Sequence, residues 1–208
     1  MANTNRSKGL TPIRHLSGSP WNGQISMYYH STAQTSALYK GDLVYSDAGL
    51  DSPTCGPDPL GVYQSIMKAP DDSSTLLGVA WTFGSTPQVS LQSTNLNAAN
   101  YCPASTGMYI GVIDDPSVIY EIQASNATWV SSNIGDNCDT TNNTTGGVTA
   151  TGRSTSMADH GTITSGTASL RVLRMVNRPD NEIGAYCKLE VMIAENVMRG
   201  TMTAYATT

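Results

Sequence analysis

The sequence predicts an all-β protein: an antiparallel β-sandwich or barrel with an extended N-terminal arm and a long polar loop. Three observations carry this reading. Short apolar runs alternate with turn clusters from residue 25 onward. The cleanest runs alternate with a period of two, the pattern of half-buried antiparallel strands. Gly at 19 and Pro at 10 supply the breaks between them, as a chain of many short strands requires.

Residues 1–24 read as the arm. They are polar and basic, and Pro12 and Pro20 argue against helix at both places. Leu10, Ile13, Leu16 and Trp21 stand out as apolar anchors spaced along an extended segment. The body, residues 25–208, contains the runs "ISMYYH", "DLVYS", "LGVYQSI", "LLGVAWTF", "PQVSLQ", "MYIGVI", "SVIYEIQ", "SLRVLRMV" and "YCKLEVMI". In the last run Cys187, Leu189, Val191 and Ile193 share one face, and Lys188, Glu190 and Met192 the other. In "SVIYEIQ", Val118, Tyr120 and Ile122 oppose Ser117, Glu121 and Gln123. A short helix is expected around residues 128–133. Ser, Thr, Asn and Gly make up 22 of the 34 residues from 136 to 169. Such a stretch cannot bury a core of its own, so it is expected to be a surface loop, either ordered by a neighbour or disordered.

The charge is low and uneven. Only 13% of residues are charged, so solubility rests on Ser, Thr, Asn and Gly. Residues 1–41 carry Arg6, Lys8, Arg14 and Lys40 and no acid, while the rest holds 7 basic and 16 acidic side chains. A basic tail can seek nucleic acid, an anionic lipid surface or an acidic protein face, or it can be a solvated tail with no partner. Four separated cations are too sparse for nucleic acid, so no nucleic-acid partner is expected. The opening "MANTNRSKGLTPIRH" has no apolar core of a secretory signal, and no run approaches the ~20 apolar residues of a membrane span. The expectation is a soluble chain made in a cytosol, with no membrane partner.

Catalytic and metal patterns are weak. Asp114 and Asp115 sit between two strand-like runs and precede Pro116, which marks a hairpin corner rather than converging carboxylates. The three histidines, His15, His30 and His160, lie in no triad-like context, and no G-x-S-x-G elbow occurs. "DNCDTTNN" offers oxygen ligands without the calcium-loop spacing. Cys55, Cys102, Cys138 and Cys187 lack zinc spacing and read as free thiols, with Cys187 buried in its strand. Trp21 and Trp129 remain candidates for a sugar-stacking platform, whereas Trp81 falls inside an apolar run and reads as core. No catalytic, cofactor or metal residues are assigned, and the chain reads as a contact protein rather than an enzyme.

Three stretches, "GLTPIRHLSGS", "YIGVIDDPSVIYEIQAS" and "LRVLRMVNRPDNEIGAYCKLEVMIAEN", resemble segments of the capsid cement, or decoration, proteins of tailed bacteriophages. The resemblance implies a β-rich virion protein on the outer surface of an expanded head, with no cofactor. It implies that the arm lies along the shell and that the major capsid protein is the partner. Residence at local three-fold points would make the protein a homotrimer. Arg6, Lys8 and Arg14 would then meet acidic capsid groups, and Leu10, Ile13, Leu16 and Trp21 would supply apolar burial. The alternative is a carbohydrate-binding β-domain of a phage tail or receptor-binding protein, with the polar loop and aromatics facing glycans.

Overall fold

The computed structural model describes residues 3–46, 56–72, 75–86 and 99–202. Among these residues there is no α-helix, and ten strands form two five-stranded antiparallel sheets. In chain order the strands are β1 (Thr11–His15), β2 (Ser26–His30), β3 (Leu38–Tyr39), β4 (Leu43–Tyr45), β5 (Met67–Lys68), β6 (Gly78–Gly84), β7 (Tyr101–Cys102) and β8 (Met108–Ile113). They continue with β9 (Val118–Gln123), β10 (Asn137–Cys138), β11 (Thr140–Thr141), β12 (Met157–Ala158), β13 (Leu170–Met175), β14 (Lys188–Ile193), β15 (Glu195–Asn196) and β16 (Gly200–Thr201). The first sheet runs β1-β9-β14-β13-β10 and the second β2-β8-β6-β4-β5. Three two-stranded ladders, β3/β7, β11/β12 and β15/β16, complete the set.

Period-two alternation decides which faces meet. Val118, Tyr120 and Ile122 of β9 and Leu189, Val191 and Ile193 of β14 pack with Leu43, Val79 and Ile113 of the second sheet. This is the main core, and the sandwich architecture follows from it. The opposite face of the second sheet is also buried. Tyr28, Val44, Ala80, Ile110 and Val112 pack there against Leu38, Ile66, Leu77 and Cys102. A sheet covered on both faces needs apolar residues at every position, which is why "MYIGVI" is buried throughout.

Several expectations need correction. "LGVYQSI" forms no full strand: the Asp58 carboxylate accepts N–H bonds from Leu60, Val62 and Tyr63 in a turn, and the end of the segment meets β2 through a single parallel bridge between Ser65 and Tyr29. "PQVSLQ" lies outside the described residues. The expected helix is a single 3-10 turn at Ser131–Asn133. The Asp114–Asp115 corner is no hairpin, because β8 belongs to the second sheet and β9 to the first. The corner carries the chain from one layer of the sandwich to the other.

The segment from 136 to 169 neither hangs free nor is disordered. It supplies β10, β11 and β12, and Asn137, Asn143, Ser154 and Ser156 within it are buried. It has few apolar groups of its own and is fixed by polar side chains instead. The Asn143 amide donates to the carbonyls of Leu43 and Ala69 and accepts from the Leu43 N–H, stitching the loop onto the second sheet.

The arm is built into the first sheet. Thr11–His15 is a strand paired antiparallel to β9, and Leu10 is fully buried in the main core. Pro12 lacks an N–H, and it is accommodated because β1 is the edge strand and bulges between Pro12 and Arg14. The residues after β1 then cover that edge: the N–H groups of His15 and Trp21 donate to the carbonyls of Ser19 and Ile13. Where the arm crosses the body, the Leu10 N–H donates to the Gly41 carbonyl at 3.0 Å. Gly41 has φ +96°, and a Cβ there would lie 2.8 Å from the Lys8 carbonyl oxygen, so only glycine fits the crossing.

Candidate functional site

The outer face of the first sheet gathers the three charged residues that sequence reading assigned to contact, Arg6, Lys8 and Arg14. On β9 the positions pointing away from the core carry Glu121 and Gln123, and on β14 they carry Lys188, Glu190 and Met192. Glu121 and Glu190 stand opposite each other in the β9/β14 register. Like charges placed across a ladder repel. Four cations offset that repulsion. Glu121 holds Lys8 at 3.1 Å and Arg178 at 3.0 Å. Glu190 holds Arg14 at 2.8 Å and Arg174 at 2.9 Å. Burial alone would raise the Glu190 carboxyl, but hydrogen bonds from Arg14 and Arg174 outweigh it and hold the group below the usual carboxylate range.

The arm is laid across this face by further bonds. Asn3 donates its amide to the carbonyls of Glu182 and Ala185. The Arg6 N–H donates to the Gln123 side chain, which in turn donates to Asn5. The opposite charges of arm and body, legible in the sequence, are thus partly satisfied within one chain.

The structure places the seven arm residues as follows. Arg6 is exposed beside Gln123, and Lys8 and Arg14 are ion-paired to the body. Leu10 is buried and offers nothing to a partner in this fold. Ile13 is half-buried in β1, and Leu16 is 57% exposed at its end. Trp21 packs edge-on against Trp81, with ring centroids 5.4 Å apart.

Sequence reading missed Arg174, Arg178 and the pairing of Glu121 with Glu190. The signal was present in part: Glu190 and Lys188 fall on the outward register of β14, whereas the cross-strand neighbour is set by pairing alone. With Arg171 outward on β13 and Arg199 at the rim, this side holds eight of the eleven Lys and Arg residues: Arg6, Lys8, Arg14, Arg171, Arg174, Arg178, Lys188 and Arg199. Four acids accompany them: Glu121, Asp180, Glu182 and Glu190. Among the described residues, three further basic and ten further acidic residues lie outside this set. The crowding of like charge is felt at the rim, where burial and the nearby Arg171 lower the Arg199 pKa.

The other sequence candidates separate. Asp114 accepts from the Tyr28 hydroxyl at 2.9 Å, while Asp115 accepts from the Ser117 N–H and pairs with His15 at 3.1 Å. One carboxylate serves the second sheet and its neighbour the first, so they converge on no common atom. Trp129 is buried, 2% exposed, and packs against His160. Lys40 lies 4.0 Å over the Trp81 ring. A stacking platform from these tryptophans is therefore not laid out on the surface. Among the described residues no group of three or more His, Cys, Asp or Glu is placed to hold a metal ion. Cys102, Cys138 and Cys187 are buried free thiols, and Cys55 lies outside the described residues. Among the described residues no helix is long and apolar enough to cross a membrane.

One buried charged pair went unseen in the sequence. The Lys68 ammonium lies 2.9 Å from the Asp42 carboxylate, with both side chains almost wholly removed from solvent. Lys68 also donates to the carbonyls of Ala37 and Gly146, and Asp42 accepts from the Tyr39 N–H. These bonds make the pair a tie between β3, β4, β5 and the polar loop.

No family model matches the chain, and no curated protein or solved structure matches it.

Proposed function

We propose that this chain is a virion structural protein that binds the outer surface of a phage head and clamps neighbouring major capsid proteins, acting as a homotrimer without a cofactor. One observation supports this reading above the others. The three stretches that resemble cement proteins are far apart in sequence, yet they supply β1, β9, β14 and β13, four adjacent strands of the first sheet, together with β8 of the second sheet and β15. The resemblance thus falls mainly on the first sheet, with the arm stitched into it. A shell presents its sites in a repeating lattice, so modest contacts summed over many copies give avidity.

The test is imaging of purified virions at low resolution, with and without the gene for this chain. Density over the head that disappears in the deletion is the expected result. Density confined to the tail would replace this reading with the carbohydrate-binding one, and a glycan array would then identify the ligand. Native mass spectrometry of the purified protein gives the subunit number directly.

A further inference from the structure

We infer that the outer face of the first sheet is the surface that seats on the partner, and that it takes an acidic protein surface. This deepens the head-binding reading and rests on it for the identity of the partner. The face carries eight basic and four acidic residues, while the rest of the described residues hold three basic and ten acidic ones. A molecule so divided orients in the field of an acidic surface with this face forward.

The side chains at the centre suit carboxylate recognition. The Arg174 and Arg178 side chains are 59% and 41% exposed. Arg174 uses Nε to bind Glu190, and Arg178 uses Nη2 to bind Glu121, so each guanidinium keeps further N–H donors for an incoming carboxylate. Because the two glutamates already hold these arginines, docking orders fewer rotamers than it would for free arginines.

The same glutamates argue against nucleic acid. A phosphate approaching Arg174 or Arg178 meets Glu190 or Glu121 within hydrogen-bonding distance of the same guanidinium. The cations are also interleaved with Asp180 and Glu182 rather than arrayed as a dense stripe. A protein surface can place carboxylates between these acids, whereas an evenly charged phosphate backbone cannot avoid them.

The experiment compares Arg174→Glu and Arg178→Glu with Arg153→Glu, an exposed position in the polar loop that carries the same change of charge. Circular dichroism and thermal melts establish that each variant is folded, and Arg174→Gln and Arg178→Gln serve as milder replacements if a reversal unfolds. Binding is measured to undecorated heads, and separately to poly-L-glutamate and to duplex DNA, from about 50 to about 300 mM salt, a range over which exposed charge pairs are progressively screened. The expected result is a loss of about tenfold or more in binding to heads and to poly-L-glutamate for the two face variants, as for charges at a contact. Arg153→Glu should bind within about twofold of the wild type, as a charge outside the contact does. Wild-type binding to heads that both face variants retain would overturn the inference and leave the head-binding reading intact. Failure of the wild type to bind heads would remove that reading, and the poly-L-glutamate series would still decide the face. Duplex DNA bound as tightly as poly-L-glutamate, or poly-L-glutamate binding insensitive to Arg174 and Arg178, would overturn the acidic-protein assignment.

Discussion

Glu121 and Glu190 face each other across β9 and β14, and each carboxylate is held by one cation from the arm and one from the region of β13 to β14. The arm is therefore part of the electrostatic balance of the sheet. Removing it would leave two acids opposed with half their counter-charges gone.

Glu190→Gln should destabilise the fold by about 1–2 kcal/mol, less than a fully buried pair because Arg174 is more than half exposed. The pH dependence follows from the direction of its shift. A carboxyl held below its unfolded value of about 4.3 contributes stability that is present above that pH and is lost as the pH falls through the folded value. Urea midpoints from roughly pH 7 to pH 3 should fall less steeply in Glu190→Gln than in the wild type. Parallel curves would show that Glu190 does not set the acid limb.

The Asp42–Lys68 pair predicts the opposite slope. Burial pushes the Asp42 carboxyl up to about 6, against the pull of Lys68. A carboxyl raised above its unfolded value of about 3.9 favours folding most when protonated, so its contribution is complete below that pH and is lost as the pH rises through the folded value. Lys68→Met should cost about 3–5 kcal/mol, because it leaves a buried carboxyl without its counter-charge. The double variant Asp42→Asn with Lys68→Met should recover a large part of that loss. A double variant worse than either single one would show that the backbone bonds of the pair, rather than its charge, hold this corner.

Strand register is tested by truncation. Leu189→Ala and Val191→Ala remove side chains from the main core, and Leu189→Ala should cost about 2–5 kcal/mol. Met192 lies on the opposite face but is buried, so Met192→Ala should cost about 2 kcal/mol, at the low end for a buried methionine. Chemical denaturation ranks the three. Met192→Ala as the most damaging would invert the assigned faces.

Thiol reactivity tests the burial of the cysteines. Cys102 lies 3.3 Å from His30 with both residues buried, and its thiol is pushed up to about 12 by desolvation. Burial likewise raises the thiols of Cys138 and Cys187. An aromatic disulfide reagent at neutral pH should therefore leave all three unmodified in the native protein and label them after denaturation. Rapid native labelling at Cys102, located by peptide mass spectrometry, would contradict its burial.

The sequence by itself determined the fold class, because alternation of apolar and polar residues is a local property that a strand displays directly. "YCKLEVMI" and "SVIYEIQ" revealed both their strands and their core faces. The sequence also displayed a basic arm and an acidic body, since charge is countable along the chain. Only the tertiary structure decided what those charges meet. Lys8 reaches Glu121 across more than a hundred residues, and no spacing rule links them. The same holds for the Asp114–Asp115 corner, where local turn chemistry is identical whether the next strand pairs with the last or crosses to the other sheet. It holds for the polar loop as well, whose order depends on bonds from Asn143 to the distant backbone of Leu43 and Ala69. Pairing partners are set by packing over the whole chain, and that is the information a linear pattern does not carry.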